Sequence, residues 1–91
     1  MTLLRIPPTL RDTTGGEREI AGSGSTLREL FEDVTRSYPD LGRRVYQDGE
    51  LVSFVNVYVG GEDARTLQGL DTPVGDATTV ILLPAMAGGD G

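Results

Sequence analysis

Residues 79–83 read Thr-Val-Ile-Leu-Leu, and residues 84–91 read Pro-Ala-Met-Ala-Gly-Gly-Asp-Gly. The first run has the length and the apolar, β-branched composition of a strand. Pro84 cannot donate a backbone hydrogen bond, so regular strand pairing should stop there. The six residues from Pro84 to Gly89 can span about 20 Å when extended, far enough to enter the active site of another protein. We therefore predict a strand followed by a narrow C-terminal tail, and we expect this tail to carry the function of the protein.

The composition of the chain excludes several classes of function. Its 91 residues are enough for one domain with a modest core, and they include neither cysteine nor histidine. Their absence removes disulfides, thiolate metal sites, and the commonest general base and metal ligand. An enzyme would have to work with carboxylates, hydroxyls and arginines alone. We therefore expect a protein that is not an enzyme and holds neither a metal nor a cofactor of its own.

The charge balance points away from nucleic acids. The net charge is −6, with fourteen acidic residues against eight basic ones, all of which are arginine. An acidic surface repels nucleic acid and anionic membranes and favours basic protein partners. No apolar run approaches the length of a membrane span or of a signal-peptide core. We expect a cytoplasmic protein that binds neither nucleic acid nor membranes.

The first third of the chain predicts a hairpin and a helix. Leu3–Ile6 is a short apolar strand that ends at two prolines, Thr9–Gly16 is a polar loop, and Arg18–Ala21 is the returning strand. After the Gly22–Thr26 connection, Thr26 and Glu29 fit a capping box, in which each side chain accepts a hydrogen bond from a backbone N–H. An apolar stripe with the 3.6-residue period of a helix follows, and Pro39 ends it. The stripe contains Leu27, Leu30, Phe31, Val34 and Tyr38.

After the helix, the chain predicts an irregular segment and then the rest of the sheet. Asp40–Ser53 is irregular, with Leu41 and Val45 as anchors to the core and a turn at Asp48-Gly49. Three further segments complete the sheet: a strand at Phe54–Val59, a glycine turn, and a short edge strand at Glu62–Arg65. Thr66–Val74 is a mixed connection that leads, through a turn at Gly75-Asp76, to the last strand. The prediction is an α+β architecture, with a single helix of thirteen residues on a four- or five-stranded mixed sheet. Residues 1–87 form the domain and residues 88–91 the tail.

We expect both faces of the sheet to carry apolar side chains, although only one face packs against the core. In Phe54–Val59 the valines at positions 55, 57 and 59 share one face and should point inward. Phe54 and Tyr58 then point outward, where Ile81 and Leu83 could join them. An exposed patch of this kind indicates a protein interface, to which we add Met86 of the tail. The alternative is that the Asp40–Ser53 segment covers this face.

One glycine-rich segment and two acidic pairs are candidate polar sites. Gly22–Thr26 precedes a helix and could cradle a phosphate, but it lacks the lysine and the spacing of a P-loop. The acidic pairs Glu32-Asp33 and Glu62-Asp63 come without a third ligand or an apolar pocket. We interpret the first motif as a strand-to-helix loop and the acidic pairs as solvated surface.

The glycines of the tail favour a different chemistry. Glycine has no Cβ, so a Gly88-Gly89 end can pass through a channel too narrow for other residues and leaves the carbonyl carbon of Gly89 unhindered. This suits an acyl group that another protein activates. The alternative is that the tail is merely a disordered terminus.

These features resemble a known family. The stretch Val80–Gly89 is similar to the ending of the ThiS/MoaD family of ubiquitin-like sulfur-carrier proteins, which have the β-grasp fold. Three further stretches are similar to the CysO branch of that family, which supplies sulfur for cysteine synthesis. They are Thr9–Gly16, Phe54–Val59 and Glu62–Arg65.

The resemblance implies a mechanism in which partners perform the catalysis. An E1-like enzyme would use ATP and Mg²⁺ to adenylate the Gly89 carboxylate and would replace the adenylate by sulfur. The resulting thiocarboxylate would donate its sulfur to an acceptor held by a biosynthetic synthase. In this sequence Gly89 is bonded to Asp90, so either a JAMM-type metalloprotease removes Asp90-Gly91 or Gly91 is itself the reactive end. We favour removal, because Asp90 would bring a negative charge beside the triphosphate of ATP.

Three other functions compete with this one. The first is the small subunit of molybdopterin synthase, whose similar tail is inserted permanently into a large subunit. The second is a ubiquitin-like modifier that conjugates its C-terminus to lysines of other proteins. The third is an interaction module with an inert tail.

Overall fold

A computed structural model describes residues 1–53 and 55–84 of the protein. Two α-helices lie on one face of a five-stranded sheet. Across the sheet the strands are β2 (Glu19–Gly22), β1 (Thr2–Arg5), β7 (Thr79–Pro84), β5 (Val55–Val59) and β6 (Glu62–Asp63). β1 and β7 run parallel, whereas the other neighbouring strands are antiparallel. The prediction of an α+β fold on a mixed sheet is confirmed. A separate two-stranded hairpin is formed by β3 (Tyr46–Gln47) and β4 (Glu50–Leu51).

The predicted helix is present as α1, Leu27–Ser37. Its apolar stripe is buried against the sheet, and Tyr38 follows as the half-buried residue that caps its C-terminus. Thr26 caps the N-terminus, since its hydroxyl accepts a hydrogen bond from the N–H of Glu29. The helix therefore has eleven residues rather than thirteen, because its two predicted end residues serve as caps.

The prediction that Asp40–Ser53 is irregular, and that the fold has a single helix, was wrong. Pro39 begins a second helix, α2 (Pro39–Val45), because proline is tolerated in the first helical turn, where its missing N–H has no partner to lose. Because Gly42 lowers the helix propensity of this segment, the sequence alone did not indicate a helix there. The β3–β4 hairpin follows and turns at Asp48-Gly49, where both residues have a positive φ. Leu41 and Val45 are buried, as predicted.

Three predicted loops or strands also differ in detail. The Thr9–Gly16 loop is mostly a 3₁₀ helix, Pro8–Thr14. The edge strand stops at Asp63, because Ala64–Thr66 forms a 3₁₀ turn that the Asp63 carboxylate caps at the N–H of Arg65. The connection after it contains another 3₁₀ turn, Gly69–Asp71. None of these changes the sheet.

The core lies between the helices and one face of the sheet. Val55, Val57 and Val59 all point into it, which confirms the predicted face. Val80 and Leu82 of β7 join them from the neighbouring strand. Within residues 1–53 and 55–84, no helix is long and apolar enough to cross a membrane.

The Gly22–Thr26 connection already holds anions, and they are the protein's own carboxylates. The Glu29 carboxylate accepts hydrogen bonds from the N–H and the hydroxyl of Ser25, at 2.8 and 2.9 Å. The Asp33 carboxylate accepts from the N–H of Ser23 at 2.9 Å. These bonds lower the pKa of Glu29 and, mainly through Ser23, the pKa of Asp33. The amides that a phosphate would need are therefore occupied, which agrees with a structural loop.

We expect Gly42→Ala to destabilise the protein, although alanine is usually the better helix former. A Cβ at position 42 would lie 2.9 Å from Cβ of Thr35 on α1, and still nearer to its Cγ2 and Oγ1 atoms. The two helices would have to separate, at a cost of about 1–3 kcal/mol, which urea unfolding can measure. The control is Gly75→Ala, since a Cβ there meets nothing within 4 Å. An increase in stability for Gly42→Ala would contradict this packing.

The carboxylates of the connection predict a dependence of stability on pH. Because the folded-state pKa of Glu29 is lowered, its contribution is present above the unfolded value of about 4 and is lost as the pH falls through the folded value. We expect Glu29→Ala to lower the melting temperature clearly at pH 7 but only slightly at pH 2. Glu62→Ala is the control, because the Glu62 carboxylate accepts no hydrogen bond from residues 1–53 or 55–84. An equal effect of Glu29→Ala at both pH values would refute the role of this carboxylate.

Candidate functional site

The start of the tail is held by a strand at the centre of the sheet. β7 pairs with β1 on one side and with β5 on the other, and its last residue, Pro84, lies opposite Val55. The side chains of Val80 and Leu82 are buried in the core. The position from which the chain continues beyond Pro84 is therefore set by two ladders and by core packing. Residues 85–91, with the predicted site residues Met86, Gly88, Gly89, Asp90 and Gly91, lie outside the described residues. The predicted division into a domain of residues 1–87 and a tail of residues 88–91 stays a prediction.

The outer face of the sheet brings together three of the predicted interface residues. Ile81 of β7 lies directly opposite Tyr58 of β5, and both are half-buried. Leu83 is 42% exposed on the same face. The anchors of the Asp40–Ser53 segment are buried in the core on the other face, so this segment does not cover the patch. Phe54, the fourth member of the predicted patch, lies outside the described residues, and the role of the patch as an interface stays a prediction.

Sequence reasoning missed Leu3 and Arg5, which extend this face across β1. Leu3 is paired with Thr79 and is as exposed as Leu83, whereas Arg5 is paired with Ile81. The alternation of strand side chains could have found both residues, because Leu4 is the inward-facing residue of β1. We define the outer patch by its described apolar members, Leu3, Tyr58, Ile81 and Leu83.

A fixed guanidinium borders the outer patch on the β6 side. The Asp63 carboxylate accepts hydrogen bonds from the side chain of Arg65 at 3.1 and 3.3 Å and from its backbone N–H at 2.9 Å. Arg65 also donates to the amide oxygen of Asn56, which lies opposite Leu83. These contacts lower the pKa of Asp63 and raise the pKa of Arg65. The acid predicted to be mere solvated surface therefore orients an arginine.

Two small hollows flank the last residues of β7. One, of about 200 Å³, lies towards β1, and the other, of about 160 Å³, lies towards α2. The first is lined by Arg5, Ile6, Pro7, Pro8, Arg11, Ile81, Leu82 and Leu83. The second is lined by Thr9, Leu10, Arg44, Val55 and Pro84. The last residues of β7 thus lie between two largely apolar depressions that carry arginines.

The described part of the chain offers no set of side chains that could bind a metal ion. Residues 1–53 and 55–84 contain no group of three or more histidine, cysteine, aspartate or glutamate side chains that could hold a metal ion. Of the acidic pairs, Glu32 accepts a hydrogen bond from the Tyr46 hydroxyl and Asp33 is bound by Arg36 and Ser23. These acids serve the fold.

Comparison with known proteins agrees with this arrangement. The ThiS family model matches residues 4–89. The sulfur carrier protein CysO of Mycobacterium tuberculosis is 40% identical over 87 residues, which are 92% of this chain and 94% of that protein. The crystal structure of the Amycolatopsis orientalis BexX/CysO complex contains a chain with a TM-score of 0.87 and 36% identity, over 93% of this chain and 96% of that one.

A second solved structure supports the same fold. CysO of Mycobacterium tuberculosis superimposes with a TM-score of 0.85 and 36% identity, over 93% of this chain and 99% of that one. The family match spans β1 to β7 and continues to the second glycine of the tail. The chain therefore belongs to the ThiS family, with the β-grasp, ubiquitin-like fold that its sequence predicted.

Proposed function

We propose that this protein is a sulfur carrier whose reactive group is the carboxyl of Gly89. The observation that carries this proposal is the extent of the family match, which ends at Gly89 and leaves out Asp90-Gly91. Supporting evidence comes from the similarity to CysO, a sulfur carrier protein. The structure adds a rigid central strand that ends at Pro84, five residues before Gly89.

The chemistry follows from the poor reactivity of a carboxylate. A carboxylate is ionised at neutral pH and resists attack by nucleophiles. In the proposed cycle an E1-like partner binds ATP and Mg²⁺, and the Gly89 carboxylate oxygen attacks the α-phosphorus and releases pyrophosphate. Sulfide, or the terminal sulfur of a persulfide, then attacks the carbonyl carbon and displaces AMP. With a persulfide donor, a reductant or a second thiol cleaves the remaining sulfur–sulfur bond. The product is a thiocarboxylate on Gly89.

The carrier supplies a long, narrow tail with a reactive acyl end rather than catalytic groups. Residues 84–89 can span about 20 Å, and neither glycine carries a side chain that would obstruct a narrow channel. The thiocarboxylate sulfur then attacks an electrophilic carbon of an acceptor bound by a synthase and displaces its leaving group. Hydrolysis of the resulting acyl–sulfur bond by water releases the sulfur with the acceptor and restores the Gly89 carboxylate. The partner enzymes therefore perform every bond-making step.

A prior cleavage is part of this proposal. The Gly89 carbonyl is in a peptide bond to Asp90 and has no free carboxylate until that bond is hydrolysed. A JAMM-type metalloprotease is the partner we propose for this step. Cleavage also removes the carboxylate of Asp90, which would otherwise approach the negatively charged triphosphate of ATP.

The outer patch is the surface we propose for docking the activating partner. Leu3 and Leu83 are exposed on it, and Leu83 is the last outward-facing apolar residue of β7. A partner seated there would receive the tail without a change in the β-grasp body. That a CysO protein forms a complex with BexX supports the idea that such bodies bind a partner.

We expect intact-mass spectrometry of the protein from its native host to show loss of Asp90-Gly91. A fraction of these molecules should be about 16 Da heavier than the trimmed acid, because one oxygen has been replaced by sulfur. Gly89→Ile should abolish the heavier form, whereas Gly91→Ala should leave it in place. Full-length acid alone under sulfur demand would refute the proposal. Adducts with other proteins that survive thiol treatment would favour a modifier.

We expect Leu83→Asp to slow activation of the carrier by its partner. A charge placed in the centre of an apolar interface should reduce kcat/KM for pyrophosphate release about tenfold or more. Leu67→Asp is the matched control, because Leu67 is 38% exposed in the connection after the Ala64–Thr66 turn rather than on the sheet. Circular dichroism should show both variants folded. Equal activation rates for the two variants would remove the outer patch from the docking surface.

A further inference from the structure

The two hollows beside the end of β7 differ in charge from the rest of the protein. The chain has fourteen acidic residues and eight arginines, yet the residues that line these hollows include three arginines and no carboxylate. A wider cleft on the helix side, of about 460 Å³, contains Glu50 and Asp63 beside its arginines. Arg5 and Arg44 also line neighbouring hollows that contain Glu17, Glu19, Asp12 and Asp40. Among the described residues, the absence of carboxylates is therefore confined to the two hollows beside β7.

Three arginines lie around the last residues of β7. We call Arg5, Arg11 and Arg44 the arginine collar. Arg5 and Arg11 lie in the hollow that Ile81 and Leu83 also line, and Arg44 lies in the hollow that contains Pro84. The collar thus encloses the end of β7 from the β1 side and from the α2 side.

The guanidinium groups of the collar are positioned but only partly neutralised. Arg5 and Arg44 form ion pairs at 3.6 and 3.3 Å with Glu19 and Asp12, and their side chains remain 59% and 50% exposed. Arg11 donates a hydrogen bond from Nε to the carbonyl oxygen of Ile6 at 3.1 Å. It forms no ion pair with any residue in 1–53 or 55–84. A guanidinium has five donors, so each arginine retains N–H groups that can bind a further carboxylate.

We propose that the arginine collar recognises carboxylates at the rim of the channel into which the partner admits the tail. The inference rests on the proposed function and names the surface chemistry of the activating partner: apolar side chains opposite the outer patch, with aspartate or glutamate around the mouth of the channel. Composition alone favoured a basic partner, but three arginines and no carboxylate line the two hollows at this place. An acidic rim would also be repelled by the remaining surface of the carrier, which favours the productive orientation.

Distance separates this recognition from binding of the nucleotide. The reactive Gly89 carboxyl can lie about 20 Å beyond Pro84, so the phosphates of ATP are far from the collar when the tail is extended in the partner. The groups that the collar meets are then those at the entrance of the channel. Rim charges act mainly on the rate of association and on its dependence on salt.

The experiment is pyrophosphate release by the adenylating enzyme of the source organism, with ATP and the carrier ending at Gly89. The combined variant Arg5→Glu, Arg11→Glu, Arg44→Glu should lower kcat/KM about tenfold or more at 50 mM NaCl, through KM rather than kcat. At 500 mM NaCl the loss should fall below about threefold, because salt screens rim charges. The control is Arg28→Glu, Arg36→Glu, Arg43→Glu, which changes the net charge equally on the helices. We expect it to lose less than about threefold at either salt concentration.

The outcomes separate the inference from the proposed function. Equal losses in the two triple variants, or a loss that high salt does not reduce, would overturn the collar while leaving the carrier function intact. No pyrophosphate release with the unsubstituted carrier would overturn the function and the inference together. If the glutamate variant fails to fold by circular dichroism, the combined Arg→Gln variant at the same three positions should show a smaller loss with the same salt dependence. Unchanged kinetics in that folded variant would likewise overturn the collar.

Discussion

The pairing of β7 on both of its edges is the constraint on which the rest of the structure depends. A parallel ladder to β1 holds residues 79–81 and an antiparallel ladder to β5 holds residues 80–84, while Val80 and Leu82 are buried beneath the helices. A shift of one residue would break both ladders and would replace Val80 and Leu82 in the core by Ile81 and Leu83. The point at which the chain leaves the sheet, at Pro84, is therefore fixed to within the stiffness of the core.

A sheet with helices on only one face creates the second property of the molecule. β7 is apolar on both faces, but the helices cover only the face of Val80 and Leu82. Ile81 and Leu83 remain on the outer face, next to Tyr58 and Leu3. In a monomer this arrangement exposes apolar area that a partner could bury. The chain thus combines a rigid strand with an outer surface suited to recognition.

The charged residues are distributed according to what they hold in place. Glu29 and Asp33 bind the amides of the strand-to-helix connection, and Asp63 orients Arg65. Because these carboxylates bind groups of the protein itself, the net charge of −6 does not predict the charge of any single surface. The arginine collar shows this, because it places positive groups around the start of the tail of an acidic protein.

What could be predicted from the sequence was local or periodic. The stripe of α1, the cap at Thr26 and the inward valines of β5 each follow from a repeat within a dozen residues, and all were confirmed. α2 was missed because proline and glycine suggest irregular chain when read locally. In the structure Pro39 occupies the first turn, and Gly42 allows α2 to approach Thr35 of α1. Close helix contact, rather than helix propensity, explains that glycine.

The local sequence was enough to predict α1, the strands of the main sheet, the inward face of β5 and the glycine tail, because short-range sterics and hydrophobic periodicity depend on neighbouring residues. Only the tertiary structure decided that β1 lies beside β7, more than seventy residues away in the chain. That pairing places Leu3 and Arg5 on the outer face and brings Arg11 and Arg44 to the start of the tail. No local pattern contains this information, since a surface built from distant segments exists only after the core has brought them together.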